Sequence, residues 1–291
     1  MLCSHDRPSF LQESLRRILD VKPQAEIVVV DSASPAGVIA TAAREMSSEV
    51  TIVRAVDPGL SIARNAGVEA SSGEIVAFTD DDCLIDEGWV PSLLATFSDP
   101  LIGAATGRVL PDVDSRFVTS IDVREESFGY DSAWDPSTLG HGANLSFRRA
   151  ALDAAGIFDP LLGAGARFRA AEDTDMLWRV MRLGWTGRFD AESVVTHRQW
   201  RSTSQAIRMA YGYGLGNGAF TAKALRIDPS ALWPQPPSVR SRSAVRTSLR
   251  HLRHGYESGT LAELETAAGL VSGYRQARSL PLDGPVFATG I

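Results

Sequence analysis

Short apolar runs alternate with amphipathic stretches along residues 1–110 of the chain. The runs are rich in Val and Ile and are bounded by turn residues, as buried strands are, whereas the stretches between them repeat apolar positions with the period of a helix. Residues 1–8 are typical of the end of a strand and its loop, with most of the strand absent. The other predicted strands cover residues 26–31, 50–53, 75–78 and 102–110, and the helices begin near Pro8 and cover about residues 37–46, 60–70 and 87–97. Strands that alternate with helices predict a largely parallel sheet in an α/β fold.

The pattern becomes less regular after residue 110 and helical towards the end. A glycine-rich loop at residues 140–144 leads into a strand, and an amphipathic helix begins with Glu172 in its first turn. The other predicted segments are a helix near 118–128, a strand at 194–197, a helix at 205–225, a proline-rich linker at 229–237 and an arginine-rich helix at 240–253. The last of these is most simply interpreted as a solvated helix face.

Three consecutive carboxylates, Asp80, Asp81 and Asp82, follow the predicted strand at 75–78, and Asp31 ends an earlier strand. In an open α/β sheet, ligands bind outside the carboxyl ends of the strands. Adjacent acids there repel one another unless a cation joins them, and a divalent cation that carries a phosphate ester is the natural candidate. A solvated acidic turn is the simpler interpretation of these residues alone, so the metal hypothesis depends on the rest of the chain.

Composition narrows the class of protein. The chain has 291 residues, 44% of them hydrophobic and 22% charged, as in an ordinary soluble globular protein. A net charge of −6 argues against a general nucleic-acid binder. Cys3 and Cys83 give neither a disulfide framework nor zinc-ligand spacing, and no apolar run could span a bilayer, so a reduced, cytoplasmic protein is expected.

The usual glycine-rich phosphate-binding motifs are missing from the sequence. No G-x-G-x-x-G follows the first strand, and G-x-x-x-x-G-K-[ST] does not occur. A bound nucleotide diphosphate would therefore have to be held by a metal and carboxylates rather than by glycine amides.

Seven further segments, spread over about residues 1–201, carry the distinctive chemistry of the chain. They are Cys3-Ser4-His5-Asp6-Arg7-Pro8, Val28-Val29-Val30-Asp31-Ser32, Gly59-Leu60-Ser61-Ile62-Ala63-Arg64-Asn65-Ala66-Gly67, Phe78-Thr79-Asp80-Asp81-Asp82, Gly142-Ala143-Asn144-Leu145-Ser146-Phe147-Arg148-Arg149, Glu172-Asp173-Thr174-Asp175 and Val195-Thr196-His197-Arg198. Together, and in this order, these segments resemble the family 2 glycosyltransferases, inverting enzymes of the GT-A fold.

The resemblance implies a nucleotide-diphosphate sugar donor and a divalent metal, Mn²⁺ or Mg²⁺. Asp31 would hold the base or the ribose, and Ser4 and Arg64 would complete the donor site. Asp80 and Asp82 would be the two acids of the D-x-D motif, with Asp80 nearer the ribose and Asp82 the direct metal ligand. Oxygen ligands suit such a cation, which stabilises the charge on the leaving diphosphate.

The resemblance also assigns the opposite side of the reaction. Asp173 would be the general base that accepts the proton of the acceptor hydroxyl, and its position at a helix start favours the ionised carboxylate. Asn144 and Glu172 would lie on the acceptor side or support the site from behind. His197 is similar to a histidine that approaches the metal or the diphosphate in such folds.

The implied architecture is an α/β, Rossmann-like GT-A sheet, mostly parallel and flanked by helices, with a helical C-terminal extension. Residues 1–110 would form the nucleotide-sugar-binding half, residues 111–201 the acceptor and catalytic-base half, and residues 202–291 the extension. Only Met1 and Leu2 precede Cys3, where the family has several apolar residues. We therefore expect a short first strand at the centre of the sheet.

Two other functions remain open from the sequence. A non-catalytic sugar-nucleotide-binding protein of the same fold would keep the same motifs. A sugar nucleotidyltransferase fits less well, because such enzymes have a Gly-rich, basic phosphate loop after the first strand and His5-Asp6-Arg7-Pro8 is not one.

The expected partners are the donor and an acceptor that is a small molecule, a glycan or a lipid-linked molecule, with no nucleic acid. A peripheral membrane contact through the arginine-rich helix at 240–253 and a homodimer are further alternatives.

Overall fold

The computed structural model describes residues 1–21, 25–113, 120–230 and 257–289, together with positions 233 and 247. The strands are β1 (Leu2–Ser4), β2 (Val28–Ser32), β3 (Thr51–Ala55), β4 (Ile75–Asp80), β5 (Cys83–Ile85), β6 (Ile102–Pro111), β7 (Phe128–Tyr130), β8 (Leu145–Arg148), β9 (Thr186–His197), β10 (Leu282–Asp283) and β11 (Val286–Phe287). The helices are α1 (Pro8–Val21), α2 (Val38–Met46), α3 (Leu60–Glu69), α4 (Trp89–Thr96), α5 (Arg149–Ala155), α6 (Glu172–Arg182), α7 (Thr203–Ile227) and α8 (Glu257–Ala277).

A nine-stranded sheet in the order β3-β2-β1-β4-β8-β6-β9-β5, with β7 paired to β9, forms the centre of the molecule. β1 to β4 are mutually parallel, and β6 is parallel to β9, whereas β8 runs antiparallel to β4 and β6. This confirms the predicted α/β fold with a mostly parallel sheet. The short β1 lies between β2 and β4, as expected, so the carboxyl ends of these three strands meet at one edge.

Helices cover both faces of the sheet because each presents one apolar stripe to it. On one face, α1, α2 and α4 bury residues such as Leu15, Ile39 and Leu93 in a common core. On the other face, α5 and α6 bury residues such as Leu152 and Leu177. The two layers fix the ends of the strands from which the cavity described below is built.

Helices α7 and α8 pack with their backbones in close contact. Gly214 and Gly218 of α7 face α8, and Gly269 and Gly273 of α8 face α7; a Cβ at any of them would lie under 3.0 Å from a backbone atom of the other helix. Small residues four apart on both helices permit this approach, as in other close helix pairs. The predicted helix at 205–225 is confirmed as α7, and its glycines are there for packing.

The predicted helix near 118–128 is wrong for the part that the structure describes. Asp122 pairs with Val109 in an isolated β-bridge, and Phe128 begins β7. The side chains explain this, because Phe128 stacks on Phe189 at 5.2 Å and Ser127 donates to Asp190, so both are bound to β9 rather than to a helical neighbour. Apart from position 233, the proline-rich linker beyond residue 230 lies outside the described residues, as does the arginine-rich helix apart from position 247. No described helix is long and apolar enough to cross a membrane.

A substitution at the helix contact tests this packing. Gly269→Val should lower the free energy of unfolding by about 3 kcal/mol, because the new side chain must push against the carbonyl oxygen of Tyr211. Ala268→Val is the matched control, since Ala268 is exposed on the same helix and should lose less than about 1 kcal/mol. Urea unfolding curves with equal midpoints for the two variants would contradict the close contact.

Candidate active site

A cavity of about 540 Å³ opens at the carboxyl ends of β1 and β4. Its walls come from both halves of the sheet and from α7. Side chains that line it include Ser4, Arg7, Arg64, Asp80, Asp82, Arg169, Glu172, Asp173, His197, Arg201, Met209, Tyr213 and Asn217. The structure therefore brings together seven of the predicted residues, namely Ser4, Arg64, Asp80, Asp82, Glu172, Asp173 and His197.

Strand pairing explains why Asp82 and His197 meet. Asp82 lies in the turn between β4 and β5, and Cys83 is paired with His197 across the antiparallel β5–β9 contact. The Nε2 atom of His197 lies 3.7 Å from Oδ1 of Asp82. The other oxygen, Oδ2, accepts hydrogen bonds from Arg7 Nη1 at 2.8 Å and from Trp200 Nε1 at 3.0 Å. One carboxylate oxygen of Asp82 is thus fixed and the other faces His197.

The charges around Asp82 keep it ionised. Burial alone would raise the pKa of Asp82, but His197, Arg7 and Trp200 outweigh it and hold the pKa below its ordinary value. Arg7 is itself held on the aromatic rings of Phe10 and Trp200, at 5.9 and 5.6 Å from their centroids.

The donor atoms at this point fit a divalent cation. A carboxylate oxygen of Asp82, a ring nitrogen of His197 and the Sγ atom of Cys83 all lie within 4.8 Å of one another. A carboxylate oxygen suits Mn²⁺ or Mg²⁺, particularly when substrate phosphates supply the other ligands, whereas the softer imidazole nitrogen suits Mg²⁺ less well. The thiol suits a hard cation less, and burial raises the pKa of Cys83 well above its ordinary value, which keeps it protonated. The chain would hold a metal here through Asp82 and His197.

The other two acids of the triplet differ from Asp82 and from each other. Asp81 is fully buried, accepts a hydrogen bond from Ser4 Oγ at 2.6 Å and forms an ion pair with Arg7. Asp80 lines the cavity, and its Oδ1 lies 3.9 Å from Arg64 Nη2. Only Asp80 and Asp82 therefore present carboxylates to a ligand.

Arg64 connects Asp80, at the end of β4, to the opposite wall of the cavity, at the start of α6. Its guanidinium is buried, and Nη1 donates to Glu172 Oε1 at 3.0 Å while Nη2 donates to the carbonyl oxygen of Gly142 at 3.3 Å. Burial, together with the neighbouring Asp173, raises the pKa of Glu172 to about 7, against the effect of Arg64. Arg64 therefore joins the end of β4 to the start of α6.

Asp173 is held in the first turn of α6 by backbone amides. Its Oδ2 accepts from Gly142 N at 2.8 Å, and its Oδ1 accepts from Thr174 N at 2.7 Å. The two amides fix the orientation of the carboxylate. The carboxylate lines the cavity and is available there as a proton acceptor.

The loop at residues 159–171 places Asp173 and is tied down from several directions. Leu60 N donates to the carbonyl oxygen of Ala164 at 2.8 Å, and Ser61 Oγ donates to that of Leu162 at 2.7 Å. On the other side, Gly216 of α7 lies against Ala170 so closely that a Cβ would come under 3.0 Å from the carbonyl oxygen of Ala170. The loop is therefore clamped between α3 and α7.

A buried ion network fixes the same region. Lys223 of α7 has no exposed side-chain surface, and its Nζ lies 2.6 Å from Asp159 Oδ2 and 2.8 Å from Asp175 Oδ1. Asp175 also pairs with Arg179 at 2.9 Å, and Asp159 accepts from the backbone N of Phe287 at 2.9 Å. The network joins α6, α7 and the C-terminal hairpin.

Two predicted site residues lie outside the cavity lining. Asp31 is buried with its carboxylate bound by Arg54 and by the backbone N of Ser34, and it is the next residue, Ser32, that reaches the cavity. Asn144 is buried as well, accepts from Trp89 Nε1 at 2.8 Å and donates to the carbonyl oxygen of Ser193 at 2.8 Å.

Sequence reasoning missed several residues that shape the site. Arg7 stands in a recognised segment, but its role in neutralising Asp81 and Asp82 depends on the position of α1. Lys223 could have been recognised from the sequence. It is the one charged residue within Ala219 to Leu225, where a lone charge indicates a buried side chain that needs an acidic partner. Trp200 and Tyr213 give no local signal, because their contacts come from distant parts of the chain.

The fold and the site define a class of proteins: α/β enzymes of the GT-A type, here with Asp80 and Asp82 at a strand end and Asp173 at a helix start in the same cavity. Residues 1–156, more than half of the chain, match the family model described as glycosyl transferase family 2. The chain belongs to this family.

Individual relatives agree with the family. A pre-mycofactocin glycosyltransferase of Mycobacterium tuberculosis is 26% identical over 191 residues, which are 63% of this chain and 39% of the relative. The O-antigen chain rhamnosyltransferase RfbN of Salmonella typhimurium is 27% identical over 180 residues, 59% of this chain and 56% of the relative. The chain thus spans well under two thirds of the length of these relatives.

A solved structure shares the fold over nearly the whole chain. It is S. aureus TarS 1-349 in complex with UDP, with a TM-score of 0.53 and 14% identity over 98% of this chain and 94% of the other. The coverage includes α7 and α8, so the shared architecture extends beyond the residues matched by the family model.

Removal of the buried lysine tests the ion network. Lys223→Met should lower the free energy of unfolding by about 3–5 kcal/mol, because Asp159 and Asp175 lose their shared cation in the interior. The double variant Lys223→Met with Asp159→Asn should recover part of this loss, since one buried charge disappears with its partner. Chemical denaturation measures both; a double variant less stable than the single one would show that the charges are not coupled.

Proposed function

We propose that the protein is a metal-assisted inverting glycosyltransferase that moves a sugar from a nucleotide-diphosphate donor to an acceptor hydroxyl. One observation carries this proposal: a cation-binding pair, Asp82 and His197, and a helix-start carboxylate, Asp173, line the same cavity. Membership of the family supports the sugar-transfer chemistry. The UDP in the complex of the structural neighbour supports a nucleotide donor.

The donor side follows from the strand ends. Asp82 and His197 would hold the divalent cation, which supplies charge stabilisation for the departing diphosphate. Asp80 lies at the edge of the same space, where it can accept hydrogen bonds from a ribose. Arg201 stacks on Trp200 at 4.2 Å, and Trp200 is bonded to Asp82, so a guanidinium also faces the diphosphate position.

The acceptor side follows from the start of α6. In the transfer, the acceptor oxygen forms a bond to the anomeric carbon as the bond from that carbon to the diphosphate oxygen breaks. The proton of the hydroxyl passes to the carboxylate of Asp173, and the nucleoside diphosphate leaves with the bonding electrons. Attack opposite to the leaving group inverts the anomeric configuration. Gly142 N and Thr174 N orient the Asp173 carboxylate for this role, as positioning is the main source of such catalysis.

The residues before 111 would then serve the donor, and those from 111 to 201 the acceptor and the base. Residues from 202 onwards would complete the acceptor wall through α7. The carboxylate of Asp31 is already bound by Arg54 and by the backbone N of Ser34, so Asp31 would not contact the nucleotide itself. It would support the nucleotide site indirectly, through Arg54 and its neighbour Ser32.

The metal role is tested by Asp82→Asn. The variant keeps the shape of the side chain but lacks the anionic ligand, so the increase in UDP affinity produced by Mn²⁺ should fall at least about tenfold. Calorimetry with UDP, with and without Mn²⁺, measures this increase. Asp153→Asn is the control, because Asp153 is exposed on α5 and should bind as the wild type does. An Asp82→Asn protein with undiminished Mn²⁺-dependent binding would remove Asp82 as the ligand.

The base is tested by Asp173→Asn. Release of nucleoside diphosphate from a panel of UDP-, GDP- and dTDP-sugars should fall by about 10²–10⁴-fold, because no carboxylate accepts the proton. Donor affinity of the same variant should stay within about threefold of the wild type, since the metal pair is intact. Normal turnover by Asp173→Asn would assign the base elsewhere, and a wild type that binds donors without turnover would favour a non-catalytic binding protein.

A further inference from the structure

Arg169 differs from Arg7 and Arg64, two other arginines of the cavity, in having no hydrogen-bond or ion-pair partner among the residues that the structure describes, whereas Arg201 stacks on Trp200. Arg7 is paired with Asp81 and Asp82, and Arg64 is paired with Glu172. Arg169 lines the same cavity, is exposed at its mouth, and makes neither a hydrogen bond nor an ion pair with any residue in the part of the chain that the structure describes. Its five guanidinium donors are therefore free for a ligand.

The backbone at Arg169 is in a conformation that arginine rarely adopts. Its φ is 60°, and that of Ala171, two residues later, is 71°. Glycine or asparagine is the ordinary choice in this left-handed region, since a Cβ is disfavoured there. Strain of this kind persists where the surroundings enforce it and clusters at ligand sites.

The surroundings do enforce it. Gly163 N donates to the carbonyl oxygen of Ala170 at 3.2 Å, and Ala170 N donates to that of Phe168 at 2.8 Å. The stem of Arg169 lies on α7, where a Cβ at Gly212 would be 3.5 Å from both Cβ and Cδ of Arg169. The loop thus holds an arginine at the cavity mouth, four residues before Asp173 in the sequence.

The position of Arg169 in the cavity indicates which of the two substrates it would bind. The donor diphosphate is placed by the proposed function at Asp82, His197 and Arg201, where the charge is already balanced by metal and guanidinium. Arg169 belongs instead to the loop that leads to the proposed base. We propose, on the basis of that proposed function, that Arg169 binds an oxyanion on the acceptor, a phosphate or carboxylate group that its planar fork can grip with two hydrogen bonds.

The acceptor that carries this oxyanion is either a soluble molecule or a lipid-linked one, and Arg169 would bind the anionic group in the same way in both cases. The probes are therefore glycerol 1-phosphate, glucuronate, and farnesyl phosphate in neutral detergent micelles. Each is titrated into the wild-type protein saturated with UDP and Mn²⁺, so that the donor site is already filled. Binding of one or more probes to this complex is the expected result, and the probe that binds names the source.

Three variants show whether Arg169 is responsible. Arg169→Gly should weaken probe binding at least tenfold, with UDP affinity unchanged and a melting temperature no lower than that of the wild type, because glycine adopts φ of 60° freely. Arg169→Lys keeps the charge but loses the two-bond grip of the guanidinium, so its affinity should fall between those of the wild type and Arg169→Gly. Arg167→Ala is the control, since Arg167 is exposed nearby but does not line the cavity, and it should behave as the wild type does.

Several outcomes would overturn the proposal. These are equal probe binding by Arg169→Gly and the wild type, displacement of the probe by UDP, or no probe binding to the UDP-bound wild type. Displacement by UDP would place the anion in the donor site. A wild type that fails to bind any nucleotide diphosphate with Mn²⁺ would instead refute the proposed function, and this failure is visible before a probe is added.

Discussion

Adjacent carboxylates at the end of β4 repel one another, and the rest of the site is arranged to offset that repulsion. Arg7, from the start of α1, neutralises Asp81 and one oxygen of Asp82. Arg64, from α3, faces Asp80 and also forms an ion pair with Glu172. His197 reaches Asp82 from the end of β9. The strand end with three acids is stabilised because Arg7, Arg64 and His197 converge on it from three other elements, and the same convergence builds the cavity.

Arg64 extends the same requirement for charge pairing to the start of α6, where it binds Glu172. Because its buried guanidinium needs carboxylates on both sides, the start of α6 must stay close to β4. Lys223 fixes the other side of α6 through Asp175 and joins it to Asp159, at the beginning of the loop before α6. Asp173 is therefore placed by two buried ion networks, one from the sheet and one from α7, which explains how a carboxylate after a glycine-containing loop can be positioned.

The sequence predicted well those features that depend on neighbours along the chain. The alternation of strands and helices in residues 1–110 is confirmed, and so is the placement of Asp80 and Asp82 at a strand end that opens into a cavity. Strand β5, by contrast, has three residues and exists through its pairing with β9, so periodicity could not reveal it. The predicted helix near 118–128 failed for the same reason: Phe128 and Ser127 are held by β9, and tertiary contacts override a local helical pattern.

The two sides of the cavity also differ in how far they can adapt. The proposed donor side is built from strand ends within a hydrogen-bonded sheet, whereas α7 forms the far wall with Met209, Tyr213 and Asn217. That wall is not a loose helix, because glycine contacts with α8 leave no space on its back and Gly216 leaves none against Ala170. A larger acceptor cannot be accommodated by a shift of α7 without breaking both contacts. Acceptor selectivity is therefore expected to lie in the side chains that α7 and the loop at residues 159–171 present to the cavity, rather than in movement of the wall.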